Sequence, residues 1–189
     1  MRIPIEISAR HVHLSQEDLE KLFGKGYSLK KFKSLYQPSD FAARETIDII
    51  KGQKIIKNVR IVGPVRSKTQ VELSKTDAIF LKMEVPFRHS GRLKNTPGVI
   101  LKGPKGKVFL KEGVIIPLRH IHCSTKEAKK LGFKEGDVVS LKVFGKRSVV
   151  FHNVKIRIKE NFKLCCHLDT DEGNACGIYK KGWGEIVKK

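Results

Sequence analysis

Nowhere in this chain does an apolar run reach the roughly 18 residues that a membrane-spanning helix needs, although 40% of its 189 residues are hydrophobic. That excludes a helical membrane protein and leaves enough apolar material for one large core or two small ones. Cysteine is sparse. Cys123, Cys165, Cys166 and Cys176 are too few for a disulfide scaffold, and two are adjacent, which suits neither a simple bridge nor a Cys-x-x-Cys knuckle. They read as reduced, buried thiols. The opening Met1-Arg2-Ile3-Pro4-Ile5 enters an alternating strand pattern at once, so no secretory leader is expected there. The expected location is the cytoplasm.

Acidic residues are also short: 19 against 39 basic ones, a formal net charge of +20. Nucleic acid is the first partner such a charge suggests. Only 10 of the basic residues are arginine, the usual base-reading side chain, and the 29 lysines are spread along the whole chain rather than gathered in one arm. A lysine-rich solvated surface is the simpler reading. Nucleic acid is therefore not expected as a partner, and a small polyanionic ligand needs only a few of these charges.

What is present is mostly short β pattern. Isoleucine alternates at Ile3, Ile5 and Ile7, and further strand-like stretches lie at residues 59–62, 70–73, 99–101, 108–110, 114–116, 138–143, 149–151 and 154–158. Phe144-Gly145-Lys146-Arg147 reads as a hairpin turn, and Gly63-Pro64 and Gly103-Pro104 mark strand exits. Short strands at this spacing point to barrels or a sandwich rather than a doubly wound parallel sheet.

One internal repeat organises the rest. Arg10-His11-Val12-His13-Leu14-Ser15 recurs as Arg119-His120-Ile121-His122-Cys123-Ser124. The match continues through Asp18, Leu19 and Leu22 in the first copy and Glu127, Ala128 and Leu131 in the second, at identical offsets. Serine followed three residues later by an acid resembles a capping box, so each copy reads as strand, tight turn, short helix. Glu72-Leu73-Ser74 with Asp77, and His167-Leu168-Asp169 with Glu172, repeat the same grammar. Four times, then, a group able to ligate metal stands two residues before a helix N-cap: His13, Glu72, His122 and His167. Helix N-termini favour anions.

In a strand, residues i and i+2 share a face, so His11 with His13, and His120 with His122, can each grip one metal ion. Neutral imidazoles suit zinc. Asp169-Thr170-Asp171-Glu172-Gly173 lacks the ligand spacing of a calcium loop. Arg66, six residues before Glu72, becomes a phosphate clamp if it lies beside a metal, because guanidinium binds phosphate as a fork. His89 and His152 fall outside the pattern.

Ser8-Ala9-Arg10-His11-Val12-His13-Leu14-Ser15 resembles the opening signature of the PduL-type phosphate propanoyltransferases. So do the stretch from Gly63-Pro64-Val65-Arg66 to Glu72-Leu73-Ser74, Arg119-His120-Ile121-His122, and His167-Leu168-Asp169-Thr170-Asp171-Glu172-Gly173-Asn174-Ala175. The resemblance runs in order along nearly the whole chain. It implies a mainly β fold of two small β-barrels capped by short helices. Residues 1–9 and 118–189 would form the first barrel, with the N-terminal strand crossing into it. Residues 10–117 would form the second, with a small inserted segment near 24–44. The resemblance further implies two zinc ions per chain, one held by His11, His13 and Glu72, the other by His120, His122 and His167. Arg66 would bind phosphate, and Ser8, Lys33, Arg60 and Asn174 would contact coenzyme A. Pro86-Phe87-Arg88-His89-Ser90-Gly91-Arg92 is more basic than the corresponding family stretch. No extension of the kind that targets family members to microcompartments is evident, in keeping with a cytoplasmic form.

The function expected is phosphate acyltransfer. Acyl-CoA, acetyl or propanoyl, plus phosphate would be interconverted with acyl phosphate plus coenzyme A. No Ser-His-Asp or Cys-His nucleophile stands out, which favours direct transfer without an acyl-enzyme. Two other classes fit parts of the pattern: a zinc metallohydrolase acting on thioesters, and a basic nucleic-acid-binding barrel. A homo-oligomer is left open.

Overall fold

The computed structural model describes residues 2–187. Along the chain come β1 (Arg2–Ser8), β2 (His11–His13), α1 (Gln16–Phe23), β3 (Lys31–Ser34), β4 (Phe41–Lys51) and β5 (Lys54–Gly63). Next are β6 (Gln70–Glu72), α2 (Lys75–Phe80), β7 (Phe87–Arg88), β8 (Ile100–Lys102), β9 (Lys107–Phe109) and β10 (Val114–Pro117). The last third holds β11 (His120–Cys123), α3 (Thr125–Leu131), β12 (Val138–Val143), β13 (Val149–Ile158), β14 (Cys165–Asp169), α4 (Thr170–Cys176) and β15 (Lys181–Val187). The fold is mainly β with a few short helices.

Two compact units result. The first comprises Met1–Ala9, Tyr36–Ser39 and Leu118–Lys189, the second Arg10–Leu35 and Asp40–Pro117. In the first, six strands close into a barrel in the order β1-β14-β11-β13-β12-β15. β1 enters it far out of sequence order, parallel to β14 with Ile5 opposite Cys166 and Ser8 opposite Asp169, and antiparallel to β15. The alternation read at the N-terminus becomes geometry here: Ile3 and Ile5 are fully buried among Ile121, Leu141, Val143, Val154, Ile156 and Leu168. Each such side chain contributes about 1.5–3 kcal/mol of burial. Gly184 lets β15 pass close to β12, since a Cβ there would sit 2.6 Å from the Lys142 carbonyl oxygen.

In the second unit the sheet order is β7-β10-β6-β2-β5-β4-β8-β9, with β3 on β4. It curls into a half-barrel, and its end strands, β7 of two residues and β9 of three, do not pair with each other. Val12, Leu14, Ile47, Ile49, Ile61, Val71, Leu101 and Ile116 fill its interior.

Each unit carries the same three-strand core. β2 lies between β5, parallel, and β6, antiparallel, with His11 opposite both Arg60 and Glu72. β11 lies between β13, parallel, and β14, antiparallel, with His120 opposite both Lys155 and His167. The repeat thus extends to strands where the sequence comparison had not found it: Asn58-Val59-Arg60-Ile61 and Asn153-Val154-Lys155-Ile156. Asn58 (φ 56°) and Asn153 (φ 58°) even share a left-handed backbone, which asparagine tolerates better than most residues.

All four helices start as their sequence caps predict. Ser15, Ser74, Ser124 and Asp169 accept from the backbone N–H of Asp18, Asp77, Glu127 and Glu172 respectively. In the last three the acid also accepts from the cap residue's N–H, completing a capping box.

Candidate functional site

The antiparallel register of β2 and β6 brings His11, His13 and Glu72 together. The His11 and His13 Nε2 atoms are 3.1 Å apart, and His11 Nε2 is 3.4 Å from Glu72 Oε2. One ligand atom from each residue lies within 4.8 Å of the others, so the three could hold a metal ion. His13 Nδ1 sits 3.0 Å from the Val62 carbonyl oxygen. A carbonyl can only accept, so Nδ1 carries the proton and Nε2 turns its lone pair toward the group, the usual arrangement of a ligating histidine. Burial, followed by the charges of His11 and Arg66, holds His13 well below the ordinary imidazole pKa. It therefore stays in the neutral form that ligates metal.

Glu72 is oriented by a buried amide that sequence reading missed. Gln70 Nε2 donates to Glu72 Oε1 and, at 2.9 Å, to Ser90 Oγ, while Gln70 Oε1 accepts from the Gly91 N–H at 2.7 Å. The stretch whose basic character departs from the family pattern thus supplies Ser90 and Gly91 to the support of the site. Arg66 stands beside the same strands. Its backbone N–H donates to the Leu14 carbonyl at 2.8 Å, and its Nη1 donates to Ser90 Oγ at 3.1 Å. Asp40 lies 4.0 Å from Nη2. The guanidinium is partly open to solvent, so the fork can accept an anion.

In the closed barrel, β11 and β14 set His120 opposite His167. The three imidazoles cluster, with ring centroids 4.6 Å apart for His120 and His122, 4.8 Å for His122 and His167, and 5.3 Å for His120 and His167. His120 Nδ1 is 2.8 Å from the Leu118 carbonyl oxygen, so by the same reasoning Nδ1 carries the proton. Both ring nitrogens of His122 are buried without a hydrogen-bond partner. A buried imidazole left so is costly, and a ligated cation would satisfy one of the two nitrogens. Phe162 stacks on the His122 ring at 3.9 Å. Gln37 is a second missed amide: it pairs with the Lys163 backbone at 2.8 and 3.0 Å and brings its Nε2 3.5 Å from His167 Nε2.

The four residues expected to contact coenzyme A divide between the units. Ser8 ends β1 opposite Asp169, and Asn174 is exposed on α4. Lys33 is exposed on β3, and Arg60 donates to the carbonyls of Ala43 and Arg44 with its guanidinium 5.5 Å from the Phe32 ring.

A family model for phosphate propanoyltransferase matches residues 4–179. The chain belongs to the phosphate propanoyltransferase family. It is thus an enzyme, a phosphate acyltransferase. It is 51% identical over 178 residues to a phosphate propanoyltransferase of Lachnoclostridium phytofermentans, covering 93% of this chain and 83% of that protein. To those of Thermotoga maritima and Listeria monocytogenes it is 49% identical over 174 residues and 42% over 187, covering 92% and 99% of this chain and 83% and 88% of theirs. Among the described residues of this acyltransferase no helix is long and apolar enough to cross a membrane.

The buried histidines should make the metal-free transferase less stable in acid. His122, like His13, is held far below the ordinary imidazole range, chiefly by burial and then by its histidine neighbours. Below pH about 6.5 the unfolded chain takes up protons that these two rings refuse, so stability falls as pH falls. Each group contributes up to about 1.4 kcal/mol per pH unit. Glu172 opposes them: burial and the charge of Asp169 push its carboxyl up to about 7, so it favours the folded state on acidification. Asp169, also raised by burial, adds to that opposition as the pH falls further; between pH 6.5 and 5 the two imidazoles face chiefly the one carboxyl of Glu172, and the balance is a loss of up to about 1.4 kcal/mol per pH unit. Urea midpoints in chelator at pH 7, 6 and 5 should fall in that order; a flat or rising series would show that these rings are protonated in the folded state.

Proposed function

We propose that the chain is a zinc-dependent phosphate acyltransferase. It interconverts acyl-CoA, acetyl or propanoyl, and phosphate with acyl phosphate and coenzyme A. The observation that carries this reading is the gathering of His11, His13 and Glu72 beside Arg66, in a chain whose relatives bear the name phosphate propanoyltransferase.

Two zinc ions would be held, one by His11, His13 and Glu72 and the other by His120, His122 and His167. Three protein ligands with a further position open is the pattern of a catalytic site. Zinc there would supply Lewis acidity to the thioester carbonyl and stabilise the departing sulfur as thiolate. Arg66 holds phosphate as a fork. Ser8, Lys33, Arg60 and Asn174 bind coenzyme A. In the reaction a phosphate oxygen forms a bond to the acyl carbon, the C–S bond breaks, sulfur leaves with the electron pair, and the proton that hydrogen phosphate gives up balances the one the thiolate takes to become free coenzyme A. Transfer is direct. Burial pushes the Cys123 thiol up to about 11 and Cys165 up to about 12, which leaves neither as a ready thiolate nucleophile. The four cysteines are buried and free of disulfides, which supports a reducing, cytoplasmic setting.

Metal analysis coupled to thiol release tests the reading. Purified protein should carry close to two zinc ions per chain and release thiol from acetyl-CoA and propanoyl-CoA only when phosphate is added, with acyl phosphate formed. Active protein free of transition metal would overturn zinc dependence. Phosphate-independent thiol release would make the chain a thioester hydrolase.

A further inference from the structure

The four acids that stand three residues past the helix N-caps do more than serve their own helices. In the open-sheet unit, Arg10 immediately precedes the first histidine of β2. Its Nε and Nη2 reach the Asp77 carboxylate at 3.1 and 2.9 Å, and Asp77 also accepts from the backbone N–H of Ser74 at 3.1 Å. Ser74 is two residues past Glu72. Asp77 is buried, so this carboxylate is a fixed link between the start of β2 and the end of β6. At the other end of the same strand pair, Asp18 accepts from the Thr69 hydroxyl, three residues before Glu72, while its backbone N–H is capped by Ser15.

The closed barrel repeats both links at the same offsets. Arg119 immediately precedes His120, and its Nε reaches Glu172 Oε1 at 2.8 Å. Glu172 Oε2 accepts from the N–H of Asp169, two residues past His167, at 3.0 Å. At the far end Glu127 Oε1 accepts from the N–H of Leu164, three residues before His167, at 3.3 Å. The copies differ in detail: the far-end donor is a threonine hydroxyl in one and a backbone N–H in the other, and Arg10 meets both oxygens of its acid where Arg119 meets Oε1.

A capping acid alone needs no arginine, and a surface arginine has no reason to find the same acid in both copies. We infer that Arg10, Asp77 and Asp18 in one unit, and Arg119, Glu172 and Glu127 in the other, are positioning residues that clamp each His-x-His strand to the strand bearing the third ligand. The clamps fix the registers His11–Glu72 and His120–His167 from both ends. A one-residue slip would turn Glu72 or His167 to the opposite face, so the register is the condition for three ligands to meet. Each clamp is confined to its own unit, so the two groups are held independently. This inference rests on the metal reading above.

The test is a Co2+ titration of the metal-free full chain at pH 8, where Glu172 is ionised. Shifted histidine ring resonances let each group report separately. Arg10→Gln, which leaves the α2 cap intact, should weaken Co2+ at the His11, His13 and Glu72 group by about 10- to 100-fold and leave the other group unchanged. Arg119→Gln should do the reverse, and Arg10→Lys should recover part of the loss. Should Arg10→Gln fail to fold, Asp18→Asn carries the same site-selective expectation. Wild-type protein that binds Co2+ at both groups, with variants that match it or that weaken both groups equally, would overturn the clamps alone. Wild-type protein that binds Co2+ at neither would overturn the metal reading and the positioning role with it.

Discussion

Glu72→Gln should keep the fold yet strip metal and activity together, lowering kcat/KM by about 100-fold or more. The change is nearly isosteric, and Gln70 can still donate to an oxygen at the same place, so the strand pair should stand. What is lost is the negative charge and, on the side facing His11 Nε2, an acceptor 3.4 Å away. An amide nitrogen presented there repels a cation and cannot ligate it. Changes to residues that merely support ligands cost 10- to 100-fold, and a change in a ligand belongs at or beyond the upper end. Metal content by mass spectrometry and initial rates should fall in parallel. The exposed Glu84 of the same unit offers the control: Glu84→Gln should leave both unchanged. A Glu72→Gln protein with full metal and normal turnover would mean that the third ligand is elsewhere.

Arg66→Ala should raise the KM for phosphate by about 10- to 100-fold while hardly moving that for acyl-CoA. A guanidinium fork makes two charge-assisted hydrogen bonds, each worth about 1.5–3 kcal/mol. The side chain is 36% exposed, so solvent screening brings the total below the sum of the two, to about 1.4–2.8 kcal/mol, and 1.4 kcal/mol is tenfold. Because Arg66 is fixed through its backbone N–H to Leu14, alanine should leave the turn in place. Lysine restores charge without the fork and should recover only part of the loss. Rates against phosphate at saturating acyl-CoA decide it; an unchanged phosphate dependence would remove Arg66 from the site.

Much of this arrangement could be read before any coordinates. Each helix begins at the Ser or Asp that its acid three residues on had marked, because capping is a local interaction that spacing alone reports. His-x-His on a strand likewise fixes a shared face. Other features were hidden for physical reasons. β4 went unrecognised, part of it lost in the segment near 24–44, because Glu45 takes an inward position between Ala43 and Ile47, its carboxylate accepting from the Tyr27 hydroxyl and the Lys30 N–H, and so interrupts the apolar alternation that identifies a strand. Gln70 and Gln37 look like surface amides in a sequence; only long-range packing buries them against Glu72 and His167. The arginine–carboxylate links join residues 67 apart in one unit and 53 apart in the other, beyond the reach of any local pattern.

The placement of β1 bears on how the molecule is made. Its partners β14 and β15 begin at Cys165 and Lys181, so β1 leaves the ribosome well before either strand it pairs with. Every strand of the open sheet has been translated by Pro117, and that unit can assemble while synthesis continues. The residues from there to the end of β15 at Val187 take about 4–14 s at ordinary elongation rates. During that interval Ile3, Ile5 and Ile7 form an unpaired apolar edge tethered to a finished domain, an address for a chaperone or for the same strand of a neighbouring nascent chain.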